Sequence, residues 1–578
     1  MSWLENDTQE IYWITGKPGA GKSTLMKFLT NHHSVKRHLS NWIGSSPVIV
    51  ATFYSWNAGT ELQKSQSGLL RTLLYQCFSQ RHSLVAKVCP KRWAWGQMLD
   101  DLPTPKLFTK FVWSSWPWFE LREAFCAVAS RAGHEYRLVL LIDGLDEFSD
   151  GHADIVKLLK DLSELPGVKI CASSRPWNVF NDAFQRNPSL MVQDLTRDDI
   201  VRYIKGHFEP EPAFREFRAL EPDEAAGLLR DIASRADGVF LWVAVVVRTL
   251  VEKMVQWDKL ADLRLTLNQL PQDVEDLFEA IKRRISPEHA AQFSRYFLLL
   301  LESLRTPCLL RASALTFLLA DEDEDSSIHR TVLATRESRQ SGVDVIRRRL
   351  RSRTLGLLEI SPNDTVGFLH RSVLEWATRD SHFAAIKRDA PAGFNPNLEL
   401  LKARTTELIT IFPEEASRPM SELAAEAKFE DIAQETAREV RFRDLIAICL
   451  RHAAYAGCAP GDDARIVRLL EKLESHWYKT ISAGKLDLCW GYLVLMGISF
   501  RHAGDVRMSE GTFVRLAAKF AVRPYVVAKV DSAPLHDLLI GVVFSHVDFA
   551  LDDGVLLTAT SVQRTTPEIL ALWLTRLG

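Results

Sequence analysis

Ile11-Tyr12-Trp13-Ile14-Thr15-Gly16-Lys17-Pro18-Gly19-Ala20-Gly21-Lys22-Ser23-Thr24-Leu25-Met26 passes from an apolar β-rich run through a glycine-rich turn into a helical pattern. Its centre fits GxxxxGK[ST], in the strand-to-helix setting that this pattern needs. Glycines at 16, 19 and 21 let the main chain wrap closely round an anion, and the following helix N-terminus adds partial positive charge. Gly16, Pro18, Gly19, Ala20, Gly21, Lys22, Ser23 and Thr24 are therefore the candidate nucleotide-binding residues. Lys22 is expected to reach the β- and γ-phosphates of ATP or GTP, and the Ser23 hydroxyl to ligate Mg2+. A turn that merely caps a helix needs glycine but neither the lysine nor the hydroxyl.

Further along, Arg137-Leu-Val-Leu-Leu-Ile142 runs into Asp143-Gly144-Leu145-Asp146-Glu147. Ligands of open parallel sheets bind at the carboxyl ends of the strands, which makes Asp143 the second candidate Mg2+ ligand. Asp146 and Glu147, one short turn on, are candidate catalytic residues that would orient or deprotonate a water. Carboxylates after a strand also serve as loop solvation or helix caps; pairing with the glycine-rich loop favours chemistry. A third strand, Val168 to Ser173, leads into Ser174-Arg175-Pro176. Arg175 is a candidate γ-phosphate sensor through a charge-assisted hydrogen bond, the alternative being a structural arginine paired to a carboxylate.

Around these motifs the chain reads as an α/β P-loop core, a parallel sheet with helices on both faces, across residues 1–205. The expected strands are Ile11–Thr15, Val48–Tyr54, Leu138–Asp143, Val168–Ser173 and Leu190–Gln193. A Trp-rich insertion at about 90–120 reads as a packed contact or, less simply, a ligand platform. Thr196 with Asp199 has the spacing of a capping box opening a helix with Ile200, Tyr203 and Ile204 on one face. A helical domain is expected over 206–284. The next, over 285–385, pairs Leu355–Ile360 with Val366–Leu369 beside helices, and a helical, solenoid-like C-terminal domain fills 386–578. Its expected helices include Glu422–His452 and Asp463–Tyr478. The acidic run Asp321–Asp325 and the basic run Arg347–Arg349 read as solvated faces.

Composition bounds the partners. A chain of 578 residues needs several cores, and 47% hydrophobic with 25% charged residues is ordinary for a folded protein. A formal net charge of −2 gives no basic field for nucleic acid. The eight cysteines form no CxxC pair or metal-spaced Cys/His group. MSWLENDTQE lacks the pattern of a secretory signal, and the apolar run Val239–Val247 meets Arg248 well short of the ~20 residues that span a bilayer. A cytoplasmic chain with no membrane span is the expectation.

The blocks IYWITGKPGAGKSTLMKFL, AGTELQKSQSGLLRTLLYQ, LLIDGLDEFSDGHADIVKLLKDL, VKICASSRPWNVFNDAF and LMVQDLTRDDIVRYI together closely resemble fungal NACHT-domain proteins of the STAND class of P-loop ATPases, NLR-like in organisation. The resemblance covers about residues 3–380, and the acidic pair after Asp143 and Gly144 matches the extended Walker B of that family. It implies a switch held off with ADP and turned on by ATP, with several protomers assembling in the on state. It also implies that Ala236–Trp242 opens the helical segment after the core, that 285–385 is winged-helix-like, and that His370 is the winged-helix histidine that contacts ADP. The family carries an effector region before its first strand, whereas about ten residues precede Ile11, so a shortened member and a truncated N-terminus are both open. Family members often end in ankyrin or other repeats, against which only pieces such as Pro567–Trp573 can be set; the sensed ligand or protein partner is not readable.

Two other classes compete with the signalling switch. An interaction scaffold would bind nucleotide with little turnover, and a P-loop phosphotransferase would need an acceptor pocket and lid for which no motif is present.

Overall fold

A computed structural model describes residues 2–529 apart from 8–9, 56–63, 101–115, 149–150, 257–258, 306–310, 324–325, 327–330, 333–334, 411–428, 459–460 and 483–511. Two units make up the chain: Met1–Arg283 with His370–Trp376, and Arg284–Leu369 with the chain from Ala377 onward.

The first unit is built on a five-stranded parallel sheet of order β2-β3-β4-β1-β5, with β1 Tyr12–Thr15, β2 Val48–Tyr54, β3 Arg137–Asp143, β4 Val168–Ser174 and β5 Ser189–Met191. Parallel strands need helical crossovers, so both faces are covered and the strands read as near-continuous apolar runs. Alternate residues go to opposite faces. Trp13, Ile49, Phe53, Leu140, Ile142 and Ile170 pack with helices that include Gln66–Gln80 and Trp118–Ala129. On the other face, Ile14, Leu141 and Cys171 meet Met26 of helix α1 (Lys22–Asn31). The result is a P-loop NTPase core followed by helical modules.

Register levels the strand ends. Thr15 lies opposite Ser174, Tyr54 opposite Asp143, and Ile142 opposite Ala172. The loop after β1, the residues after β4 and the acidic turn after β3 therefore open at one edge of the sheet. Thirty residues of chain cannot place groups this closely by local preference; parallel pairing does.

Three local expectations change. β5 stops at Met191, because the chain turns into a short helix, Val192–Leu195, that brings the Gln193 carboxamide within 3.3 Å of the Lys17 N–H. The Thr196 capping box does not form: its hydroxyl donates to the carbonyls of Gln193 (3.1 Å) and Gly238 (3.0 Å), so no hydroxyl oxygen caps the helix Arg197–Phe208. The acidic and basic runs are not simply solvated either. Asp321 is almost enclosed and pairs with Arg349 at 3.1 Å, while Arg349 also meets Glu322 at 2.6 Å.

In the Trp-rich stretch the Trp116 ring carries the Arg92 guanidinium at 4.2 Å, and Arg92 pairs with Glu120, so part of it is a packed contact; Trp113 lies outside the described residues. The second unit is helical around one small antiparallel pair, β6 (Leu358–Ile360) with β7 (Val366–Phe368). Its helices include Pro287–Arg305, Arg336–Arg353, Phe429–Ala456 and Asp463–Ser482, and the core gathers Leu401, Phe442, Leu470, Trp477 and Tyr525. Residues 422–428 and the Pro567–Trp573 piece fall outside the described residues. Among the described residues no helix is long and apolar enough to cross a membrane.

One buried cation ties the beginning of the chain to the sheet. Lys169 of β4 is 1% exposed and donates to the carbonyls of Trp3 (2.7 Å) and Asn6 (2.5 Å), its ammonium lying between the Trp3 and Trp42 rings at 4.9 and 4.7 Å. Burial lowers its pKa to about 8. Lys169→Met removes two charge-assisted donors and leaves two carbonyls short of partners, which costs the segment about 2 kcal/mol. Hydrogen exchange should read this as roughly 30-fold faster exchange of the Trp3–Asn6 amides, with the sheet amides unchanged.

Candidate functional site

The loop between β1 and α1 is shaped by glycine. Gly19 and Gly21 have φ of 75° and 100°, a region that disfavours side chains, and a Cβ on Gly19 would come within 2.6 Å of the Leu241 Cβ. The loop is closed by its own lysine. Lys22 Nζ donates to the carbonyls of Gly16 (2.8 Å) and Lys17 (3.1 Å). Burial lowers the Lys22 pKa, while Asp146, Asp143 and Glu147 pull it back up. Ala20 is fully buried beneath the loop, and its N–H donates to the Lys17 carbonyl at 3.2 Å. Pro18 is half-buried, and Ser23 and Thr24 stand exposed at the start of α1.

Asp143, 2% exposed, ends β3. Burial raises its pKa, against hydrogen bonds from Ser173 and Ser23 that favour the carboxylate. Ser23 and Asp143, the two residues expected to share a cation, therefore lie near each other at the strand ends. The Ser173 hydroxyl donates to Asp143 Oδ1 and accepts the Gly144 N–H at 3.0 Å, which makes it a brace between β4 and the acidic turn.

That turn is a single 3-10 turn, Leu145–Glu147, entered through Gly144 at φ 78°. A Cβ on Gly144 would stand 3.1 Å from two carbons of the Glu147 side chain, so glycine allows the acid to fold back over the strand end. Asp146 is 4% exposed and receives the Arg175 N–H at 3.0 Å and Arg175 Nε at 3.1 Å. Arg371 Nη1 reaches Asp146 Oδ2 at 3.1 Å and Glu147 Oε1 at 3.0 Å. Glu375, one turn later on helix α2 (Arg371–Thr378), pairs with Arg371 Nε at 2.8 Å and with Arg175 Nη2 at 2.9 Å. Asp146, Arg175, Glu375 and Arg371 thus form a closed ring, to which Glu147 joins through Arg371.

The comparisons with known proteins agree in direction. A family described as "Nephrocystin 3, N-terminal" matches residues 1–175, and a domain of unknown function (DUF7791) matches 284–419. The vegetative incompatibility protein HET-E-1 of Podospora anserina is 22% identical over 329 residues. These findings support a fungal NACHT-domain protein. The aligned part is 56% of this chain and only 22% of that protein, so the chain spans under a quarter of the relative's length.

Within this core the structure brings the loop, Asp143, Asp146, Glu147 and Arg175 to one edge. Arg175 is held by carboxylates, the geometry of the structural alternative. His370 lies in the same electrostatic neighbourhood: burial first, then the charges of Arg175 and Lys22, lower its pKa to about 4. Its Nδ1 accepts the Ser372 N–H at 3.1 Å. Ser173 was visible only as a hydroxyl near a strand end, and Arg371 and Glu375 carried no sequence signal beyond an i,i+4 pair beside His370. Asp237, at φ 46°, pairs with Lys17 at the outer side of the loop.

A neutral buried histidine has a defined pH signature. The unfolded chain protonates His370 near 6.5 and the folded chain only near 4, so this group's contribution is complete above pH 6.5 and is lost as pH falls towards 4. His370→Asn keeps an acceptor for the Ser372 N–H and removes the titration. Chemical denaturation between pH 6.5 and 4.5 should show a shallower loss of stability in the variant; equal slopes would contradict a buried neutral imidazole.

Proposed function

We propose that this chain is a nucleotide-gated signalling switch that binds and hydrolyses ATP or GTP with Mg2+, with an ADP-bound off state and an ATP-bound on state in which several protomers assemble. The observation that supports it best is the meeting of Ser23 with Asp143 at levelled strand ends, with Asp146 and Glu147 one turn further on. The residues present suit the group. A hydroxyl and a carboxylate are the hard oxygen donors that a magnesium ion prefers, and a glycine loop with its lysine suits a polyphosphate. Bound Mg2+ would supply charge neutralisation at the phosphate oxygens.

The chain's own residues divide the remaining work. Lys22, resting on two main-chain carbonyls, holds a positive charge at the mouth of the loop. Ser173 fixes the direction of the Asp143 carboxylate. Glu147 would orient and deprotonate water, and Arg175, paired with Asp146 one residue before it, would sense the γ-phosphate. The name of the relative, a vegetative incompatibility protein, supports a role in fungal nonself recognition or cell-death signalling. An unknown ligand or protein partner would supply the trigger.

A second reading, an interaction scaffold that binds nucleotide with little turnover, is favoured by one observation. Glu147 is engaged by Arg371, and Arg175 by Glu375, at the closed ring.

Lys22→Ala should weaken nucleotide binding by about 100-fold or more, since two or more charge-assisted bonds are lost. Glu147→Gln should leave binding intact and slow hydrolysis by about 100-fold. Titration of labelled nucleotide and single-turnover phosphate release measure the two effects. Hydrolysis undiminished in both variants would end the switch reading, whereas tight binding without turnover in the wild type would favour the scaffold.

A further inference from the structure

Glu375 is the acid of the ring to which the nucleotide reading gives no task. Its carboxylate lies between two guanidiniums: Arg175 Nη2 reaches its oxygens at 3.1 and 2.9 Å, and Arg371 Nε reaches Oε1 at 2.8 Å. Arginine forks match carboxylate and phosphate equally well. Both cations are largely enclosed, with side chains 16% and 13% exposed. Without Glu375 the guanidiniums keep Asp146 and Glu147 but lose the partner of Arg175 Nη2 and Arg371 Nε, donors that another anion can take up.

The place of the fork matters as much as its chemistry. Arg175 follows β4 directly, beside Asp146 and at the same sheet edge as the Gly16–Thr24 loop, and His370 senses the charges of both Arg175 and Lys22. An anion seated on Arg175 is therefore in the electrostatic field of the phosphate-binding lysine. The ring also carries an excess of charge, with three carboxylates (Asp146, Glu147, Glu375) facing two guanidiniums, which opposes the approach of a further phosphate.

We propose that Glu375 occupies the subsite of the terminal phosphate of a nucleoside triphosphate and thereby sets the preference of the site for diphosphate over triphosphate. The inference rests on the nucleotide reading above and adds a specificity-determining residue to it. A diphosphate ends one group short and leaves Glu375 on the fork. A triphosphate must displace it, and the displaced carboxylate leaves Arg371 and Arg175 together. Glu375→Gln keeps the size of the side chain and removes the competing charge.

The test is a pair of dissociation constants, measured on the nucleotide-stripped full chain at fixed Mg2+, for ADP and β,γ-imido-ATP, with GDP and β,γ-imido-GTP alongside. Glu375→Gln should tighten the imido-triphosphate by about tenfold or more while moving the diphosphate by less than about twofold. Glu375→Asp, which keeps the charge but shortens the reach, should move the same ratio in the same direction by a smaller factor. It carries the comparison if the glutamine variant does not fold. An unchanged ratio in a folded variant, or both constants moving together, overturns the inference. Diphosphate binding that is lost in Lys22→Ala alongside an unchanged ratio in Glu375→Gln overturns it alone. A wild-type chain that binds neither nucleotide overturns the nucleotide reading and this inference with it.

Discussion

A carboxylate enclosed as deeply as that of Asp143 persists only where donors meet it, and supplying those donors shapes the whole carboxyl edge of the sheet. Ser173 comes from the neighbouring strand, and Ser23 from the helix that the glycine loop launches. For both to arrive, β4 must lie between β1 and β3 in this register, with Thr15 level with Ser174 and Ile142 level with Ala172. A slip of one residue in either pairing would turn the serine to the other face of the sheet. The site is thus a consequence of sheet register before it is a set of motifs.

What was legible in the sequence follows from this. Strands buried on both faces appear as uninterrupted apolar runs, which is why β2 was placed to the residue and β1, β3 and β4 within one. Glycine tolerates left-handed backbone far better than other residues, so the loop with Gly19 and Gly21 could be read directly. β5 was harder. Its last expected residues leave the sheet because Gln193 has a better use against the loop, and hydrophobic patterning carries no record of a carboxamide's partner. Thr196 failed for a similar reason: its spacing to Asp199 suits a cap, but two nearer carbonyls take its hydroxyl.

The ring around Asp146 lay beyond such reading altogether. Arg371 and Glu375 are separated from Asp146 by more than two hundred residues, and residues 284–369 that precede them belong to the second unit. Local periodicity shows that an arginine and a glutamate share one helix face; it does not show which carboxylates they will meet. Arg175 illustrates the same gap from the other side. Its position at a strand end was plain, whereas its partners depend on a segment that returns to the first unit from far along the chain. Lys169 is a third example, since a lysine within an apolar strand reads as an exception until Trp3, Asn6 and Trp42 close around it.

The electrostatics of the site have one direction. Burial lowers the pKa of Lys22 and His370 and raises that of Asp143, so each group is pushed towards its neutral form. Hydrogen bonds from serines and the mutual attraction of lysine and carboxylates oppose this for Lys22 and Asp143, while nearby cations add to it for His370. The consequence is a histidine kept neutral beside a lysine and an aspartate whose charges are sustained by their neighbours. Such an arrangement is locally costly, and a core built for stability alone would have replaced these groups with apolar ones. Their concentration at one strand edge, around a loop whose Gly19 and Gly21 take left-handed backbone, marks the place where the fold gives up stability to keep charge at the strand ends.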